Sequence, residues 1–189
     1  MTEATLQVAR DRMPSWLHFA KLQMALISAL EGEQQARAGM ATIREALAPR
    51  GSDDVEGTGF VLCLFARVCG LAGEIDAGLH ASEQAIADAT ATGARLWESE
   101  LHRTAGNLLH AGADRARSES HYLRAIEVAR EQQARSLELR ASAPLARLWA
   151  MRGERRKAYD LLAPIYATFT EGFGTPDLIE AKMLLDELN

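Results

Sequence analysis

The chain has 189 residues, of which 48% are hydrophobic and 25% are charged. Both fractions are typical of globular proteins and exclude a disordered or fibrous chain. Lysine and arginine number 21 against 26 aspartates and glutamates, and the resulting net charge of −5 argues against direct nucleic-acid binding. Aromatic residues make up only 6% of the sequence, and abundant Ala, Leu, Glu and Arg favour helices over strands.

In chain order, the apolar pattern first predicts a partial unit, residues 3–12, as the second helix of an upstream hairpin. Four two-helix repeats are then predicted at residues 14–50, 54–92, 94–132 and 134–171. Within each repeat, apolar residues recur three or four apart, and a short break, which holds a glycine in each repeat, separates the two helices.

A nearly fixed interval supports this division into repeats. One position in the middle of each second helix recurs at successive offsets of 39, 40 and 40, and is occupied by Ala46, Ala85, Ala125 and Ile165. A second alignment agrees, because Ala94–Glu98 matches Ala134–Glu138 at an offset of 40. Such a period predicts stacked hairpins, each of which buries its apolar face against its neighbours.

The last segment, residues 175–189, is predicted to be a capping helix. Thr175 is suited to the N-cap position and Pro176 to the first helical position. The following apolar residues form one stripe that can cover the open face of the last repeat: Leu178, Ala181, Leu184, Leu185 and Leu188.

Two repeats carry a further pattern of small and large residues. Repeat three has Ala105-Gly106 in its first helix and Ser118-x-x-x-Tyr122 in its second, and repeat four has Leu145-Ala146 and Ala158-x-x-x-Leu162. This arrangement resembles the tetratricopeptide repeat (TPR). The resemblance implies an all-α fold, a right-handed α-solenoid of about four TPR-like hairpins with a C-terminal capping helix, in a single domain over residues 1–189.

Two segments resemble a narrower group of proteins. Trp97–Arg103 and Phe169–Leu178, the latter followed by Glu180-Ala181-Lys182, are similar to the C-terminal TPR region of large bacterial signalling proteins. In those proteins the region follows an ATPase module and a cyclase or transcriptional-activator domain, which implies a role in signal transduction or transcription regulation. No phosphate-binding loop or cyclase metal motif is present here, so the activity of those modules is not assigned to this chain.

In TPR arrays the inward positions of the first helices line a concave groove. Phasing the first helices places five polar residues there: Arg67, Arg103, Asn107, Arg140 and Arg147. Because guanidinium groups bind carboxylates and phosphates with two parallel hydrogen bonds, we expect a groove that binds an acidic, C-terminal or phosphorylated peptide segment. The alternative is that these arginines are solvated or pair with glutamates of the same chain.

No arrangement of residues predicts a catalytic, metal or cofactor site. Glu98 and His102 lie four apart on a helix, but zinc sites need three or four ligands, and a hydrogen bond within the helix is the simpler interpretation. No apolar run reaches transmembrane length and no signal peptide is evident, so we expect a cytoplasmic protein. Cys63 and Cys69 are expected to be buried, reduced thiols.

Together these patterns predict a non-enzymatic scaffold that binds a protein partner in the groove. The alternative is an effector-sensing or autoinhibitory C-terminal module of a larger ATPase-containing cyclase or transcriptional regulator. The apolar face before Trp16 is expected to be covered, either by an upstream segment, as the sensing alternative requires, or by a second copy of the chain in a homodimer. No direct contact with nucleic acid or membrane is expected.

Overall fold

The structure, a computed structural model, describes residues 14–47 and 55–189, and the predicted partial repeat at residues 3–12 lies outside them. Within the described ranges the chain forms nine α-helices and no strand. The helices are α1 Pro14–Ala29, α2 Glu33–Leu47, α3 Val55–Leu71, α4 Ile75–Thr92, α5 Glu98–Ala111, α6 Arg115–Glu131, α7 Arg135–Met151, α8 Arg155–Tyr166 and α9 Pro176–Leu188.

The first eight helices pair as four consecutive hairpins, α1 with α2, α3 with α4, α5 with α6 and α7 with α8. Each hairpin falls within one of the predicted repeats. The second helices of the last three hairpins begin at Ile75, Arg115 and Arg155, in steps of 40. The predicted period is therefore the spacing of the hairpins along the chain.

The chain divides into two compact units, one up to Ala94 and one from Arg95 onward. In the first unit, α1–α4 enclose a core that includes Leu22, Ile43 and Val68. Cys63 and Cys69 are buried there, as the sequence predicts, and neither is in a disulfide. Burial raises the pKa of the Cys69 thiol to about 11. In the second unit, α5–α9 form a core that the capping helix completes.

The hairpin turns repeat in backbone geometry as well as in spacing. At 40-residue steps, Gly73, Ala113 and Gly153 adopt positive φ angles of 76°, 65° and 83°. The next residue in each case donates its N–H to the carbonyl five residues earlier, at 2.9 Å, 2.9 Å and 3.0 Å. These bonds satisfy carbonyls at the end of the first helix and turn the chain into the second.

Repeat three shows why small residues occupy the positions that the sequence pattern marks. Ala125 is fully buried, and a Cβ on Gly106 would lie 2.6 Å from Cε1 of Tyr122. The Ser118 hydroxyl donates to the Gly106 carbonyl at 2.9 Å. The two helices therefore approach so closely at Gly106 that no side chain fits there.

Each first helix of the last two hairpins also begins near a buried glutamate held between two arginines. Glu98 accepts from Arg95 and, at 3.2 Å, from Arg124. Glu138, at the equivalent position of the next hairpin, accepts from Arg130 at 2.6 Å and from Arg135 at 2.8 Å. Because burial of a lone carboxylate is costly, these paired guanidinium groups are what make the buried position tolerable. Burial alone would raise the pKa of Glu98, but the two arginines hold it below its usual value.

The capping helix α9 packs on α7 and α8, as predicted. Its buried residues are the five predicted from the apolar stripe: Leu178, Ala181, Leu184, Leu185 and Leu188. Relative to α7, α9 begins about one 40-residue period later, so it occupies the position of the first helix of a further hairpin.

Candidate functional site

The five predicted groove residues are divided between the two units. Arg67 lies half-buried on α3 in the first unit. The other four lie in the second unit on first helices that pack against each other, with Arg103 and Asn107 on α5 and Arg140 and Arg147 on α7.

Arg103 forms a bidentate ion pair with Glu100, which lies one helical turn earlier on α5. Its Nε donates to Glu100 Oε1 at 3.1 Å and its Nη2 to Oε2 at 2.7 Å. The Arg103 side chain is only 13% exposed and that of Glu100 6%. A fork-to-fork pair with so little solvent contact is among the stronger ion pairs, so Arg103 is firmly held along α5.

Arg140 and Arg147 are paired with carboxylates of neighbouring helices. Arg140 Nη2 lies 3.3 Å from Glu100 Oε2, and its Nε lies 3.5 Å from Asp177 Oδ2 on α9. Arg147 donates through Nη1 to Glu180 Oε1, also on α9. The two α7 arginines therefore bind the capping helix, and Arg140 additionally links it to α5.

The apolar stripe of α9 predicts only a cap, and these acidic partners were not predicted from the sequence. The 40-residue spacing could have predicted them. Three equivalent positions on successive first helices alternate in charge: Glu100, Arg140 and Glu180. With Asp177 and Glu187 on the same helix as Glu180, the surface expected to be basic carries both charges. Arg103, Arg140 and Arg147 each pair with a carboxylate of the same chain, and their role in binding a peptide stays a prediction.

Asn107 is held by the second helix of its own hairpin. The buried Tyr122 hydroxyl donates to Asn107 Oδ1 at 2.8 Å, and burial raises the pKa of that hydroxyl. Because the amide oxygen is engaged, the NH₂ group is the half of the Asn107 side chain that can donate to a ligand. Tyr122 was not recognised as a groove residue because its pattern position indicated packing alone.

An open cavity of about 490 Å³ connects α5, α6, α7 and α9. Both apolar and polar side chains line it: Asn107, His110, Tyr122, Pro144, Arg147, Ala150, Met151, Leu184 and Glu187. Two of the predicted groove residues, Asn107 and Arg147, are among them. A concave site of this size with a few convergent polar groups is suited to hold one or two side chains of a bound segment.

The Glu98–His102 pair does not form the hydrogen bond that its spacing suggests. Both carboxylate oxygens of Glu98 accept from arginines, while His102 Nδ1 lies 3.1 Å from His121 Nδ1 on α6. The spacing along the chain gave no sign of this contact, which depends on how α5 and α6 pack. In the part of the chain that the structure describes, no three His, Cys, Asp or Glu residues are placed to hold a metal ion.

The arrangement of the hairpins defines the class of fold as an all-α solenoid of TPR-like repeats. Two solved structures of a kinesin light chain-like protein from Podosopora anserina, with nearly identical TPR-like repeats, are similar to this chain. One has a TM-score of 0.68 and 15% identity over 94% of this chain and 87% of the other. The second, a single-substitution variant of that protein, has a TM-score of 0.68 and 14% identity over 100% and 87%. No protein-family model and no curated protein sequence matches the chain.

Among residues 14–47 and 55–189, no helix is long and apolar enough to cross a membrane.

Proposed function

We propose that the chain is a non-enzymatic scaffold that binds a segment of a partner protein in the groove between α5, α7 and α9. The observation that carries the proposal is the open cavity of about 490 Å³ among these helices. Stacked hairpins that expose a long concave surface are suited to bind extended segments. The similar solved structures support the TPR-like fold that such binding requires.

An apolar side chain of the segment would enter the cavity against Pro144, Ala150 and Met151. Asn107 would donate its amide N–H to a carbonyl of the segment, since its oxygen already accepts from Tyr122. The cavity alone therefore provides both an apolar anchor and a fixed donor, the combination by which small pockets orient their ligands.

Acidic groups of the segment would bind Arg140 and Arg147. Arg103, which keeps its pair with Glu100, would add positive charge to the same groove. Arg67 lies in the other unit and stays a predicted binding residue there. For the α7 arginines this requires the ligand to replace carboxylates that already occupy them. Guanidinium groups exchange carboxylate partners readily at exposed positions, because exposed ion pairs contribute little net free energy.

Selection from a library of random peptides displayed on phage would test the proposal. The parent protein is compared with Ala150→Trp, which fills the cavity, and with Ala116→Trp, which adds the same bulk at an exposed position on α6. We expect peptides that bind the parent and the Ala116 variant and not the Ala150 variant. Peptides that bind all three equally well would show that the groove is not the site.

The narrower predictions concern the context of the chain. A C-terminal sensing or autoinhibitory module of an ATPase-containing regulator stays a prediction from the sequence resemblance, and reading the coding region upstream of Met1 would test it. Cytoplasmic location and a homodimer through the face before Trp16 also stay predictions. Light scattering coupled to size-exclusion chromatography would give the mass of the particle and so test the dimer.

A further inference from the structure

Two of the groove arginines are occupied by the capping helix of the same chain. Arg140 Nε lies 3.5 Å from Asp177 Oδ2, and Arg147 donates to Glu180. Both carboxylates come from α9, whose apolar stripe fixes its backbone against α7 and α8. An acidic segment that enters the groove therefore meets guanidinium groups that already have tethered partners.

These contacts are exposed enough to exchange. The side chains of Asp177 and Glu180 are 48% and 49% exposed, and those of Arg140 and Arg147 are 30% and 43% exposed. A rotation about side-chain bonds would return each carboxylate to water while α9 stays docked. By contrast, Glu100 is only 6% exposed and binds Arg103 through two hydrogen bonds, so that pair is expected to persist when a ligand binds.

From this arrangement we propose that Asp177 and Glu180 are internal competitors of an acidic ligand, and that they set the affinity of Arg140 and Arg147 for it. The inference rests on the proposed function, because it concerns the same groove. Tethering keeps the two carboxylates at high effective concentration near their arginines. A free ligand must therefore contribute other contacts, such as a side chain in the cavity, and an acidic sequence alone binds weakly.

The expected effect follows from the strength of exposed ion pairs, which are individually weak. Neutralising both carboxylates is expected to raise the affinity for an acidic probe by about 5- to 30-fold, which corresponds to about 1–2 kcal/mol for the two contacts together. The gain should shrink at high salt, because the contacts are exposed and screened. Because coupling between two ligands is reciprocal, bound probe should also weaken the contacts of Asp177 and Glu180 with α7.

Fluorescence anisotropy of labelled octaglutamate at low salt provides the test. The full chain is compared with Asp177→Asn, Glu180→Gln, which keeps the size of both side chains. A matched control, Asp88→Asn, Glu171→Gln, removes the same charge from exposed sites outside the ion pairs described above. A third variant adds Arg140→Gln, Arg147→Gln to the first and so removes the proposed binding groups.

We expect the first variant to bind octaglutamate about 5- to 30-fold more tightly than the parent, the control to stay within about twofold, and the arginine replacement to abolish the gain. If the parent and the first variant bind octaglutamate equally well, Asp177 and Glu180 are not competitors and the inference is overturned. If arginine replacement then abolishes binding, the acidic ligand of the proposed function is still supported. An equal gain in the control would reduce the effect to net charge and also overturn the inference. Binding by none of the proteins would overturn the acidic ligand of the proposed function, and the inference with it.

Discussion

The imidazole Nδ1 atoms of His102 and His121 lie 3.1 Å apart where α5 packs on α6. Burial lowers the pKa of His102 to about 4, and the positive charges of His121 and Arg124 add to the effect, while Glu98 opposes it. In the hairpin before, the equivalent positions hold the buried Leu62 and Ala81. The histidine pair therefore puts an imidazole that can be protonated where the preceding hairpin has only apolar side chains.

The first prediction is that this pair makes stability depend on pH. The unfolded chain protonates His102 near pH 6.5, about the ordinary value, whereas the folded protein leaves it neutral down to about pH 4. Because the unfolded state binds more protons between these values, the free energy of unfolding should fall as pH drops from about 6.5 towards 4. We expect a loss of about 2 kcal/mol, since the ring keeps some contact with solvent.

Urea unfolding between pH 7 and 4 measures this loss, and a double variant separates it from the titration of carboxylates. His102→Leu, His121→Ala installs the residues of the preceding hairpin at the same two positions. Its stability should change less with pH than that of the parent across this range. Parallel pH profiles for the two proteins would show that the pair does not titrate as described.

A second prediction concerns the close approach of helices at Gly106. An added Cβ would lie 2.6 Å from the Tyr122 ring, so Gly106→Ala should destabilise the protein by about 1–2 kcal/mol even after the better helix propensity of Ala is counted. Gly174→Ala is the control, since a Cβ there meets nothing within 4 Å. Thermal and urea unfolding of both variants would check the difference.

A rescue distinguishes overpacking from a general loss of stability. Repeat four has Ala146 and Leu162 at the positions of Gly106 and Tyr122. Combining Gly106→Ala with Tyr122→Leu should therefore destabilise the protein by less than the sum of the two single changes, because the smaller side chain leaves room for the new methyl group. Additive losses would mean that the ring is not the obstacle.

These comparisons between repeats show how far the sequence predicts the structure. The hairpins, the buried face of α9 and the small residues at Gly106 and Ala125 follow from spacing, because a 40-residue period and a helical apolar stripe are local patterns. The fold could be predicted to that extent.

The groove could be predicted only in part, because its charges are paired across helices. Phasing the first helices identified Arg140 and Arg147 but not their contacts with Asp177 and Glu180, which depend on where α9 docks. The contact of His102 with His121 was missed for the same reason, since the two lie on different helices. Spacing along a helix predicts which residues lie on the same face of that helix. It does not predict which residues of other helices contact that face.

A third prediction concerns two turn residues with positive φ. Ala113 and Gln133 have φ angles of 65° and 55°, and the equivalent positions in neighbouring repeats include Gly73, Gly153 and Gly93. A residue with a side chain is strained by about 1–2 kcal/mol in this conformation. This strain is larger than the conformational entropy that glycine loses on folding. Ala113→Gly and Gln133→Gly should each stabilise the protein by about 0.5–1 kcal/mol, as measured by urea unfolding. The exposed helical position Ala87→Gly should destabilise it by about 1 kcal/mol.

The last prediction tests how firmly α9 is docked, on which the position of Asp177 and Glu180 depends. Leu178 is 4% exposed and its neighbour Ile179 is 47% exposed. Truncation to alanine therefore removes buried atoms at Leu178 and largely solvated atoms at Ile179. Leu178→Ala should cost about 2–4 kcal/mol and Ile179→Ala less than about 1 kcal/mol. Hydrogen exchange localises the effect, because a helix held chiefly by its stripe should lose protection in α9 before α7. Equal losses from both truncations would mean that the stripe does not hold α9, and the tethered carboxylates would then lack the fixed backbone that makes them effective competitors.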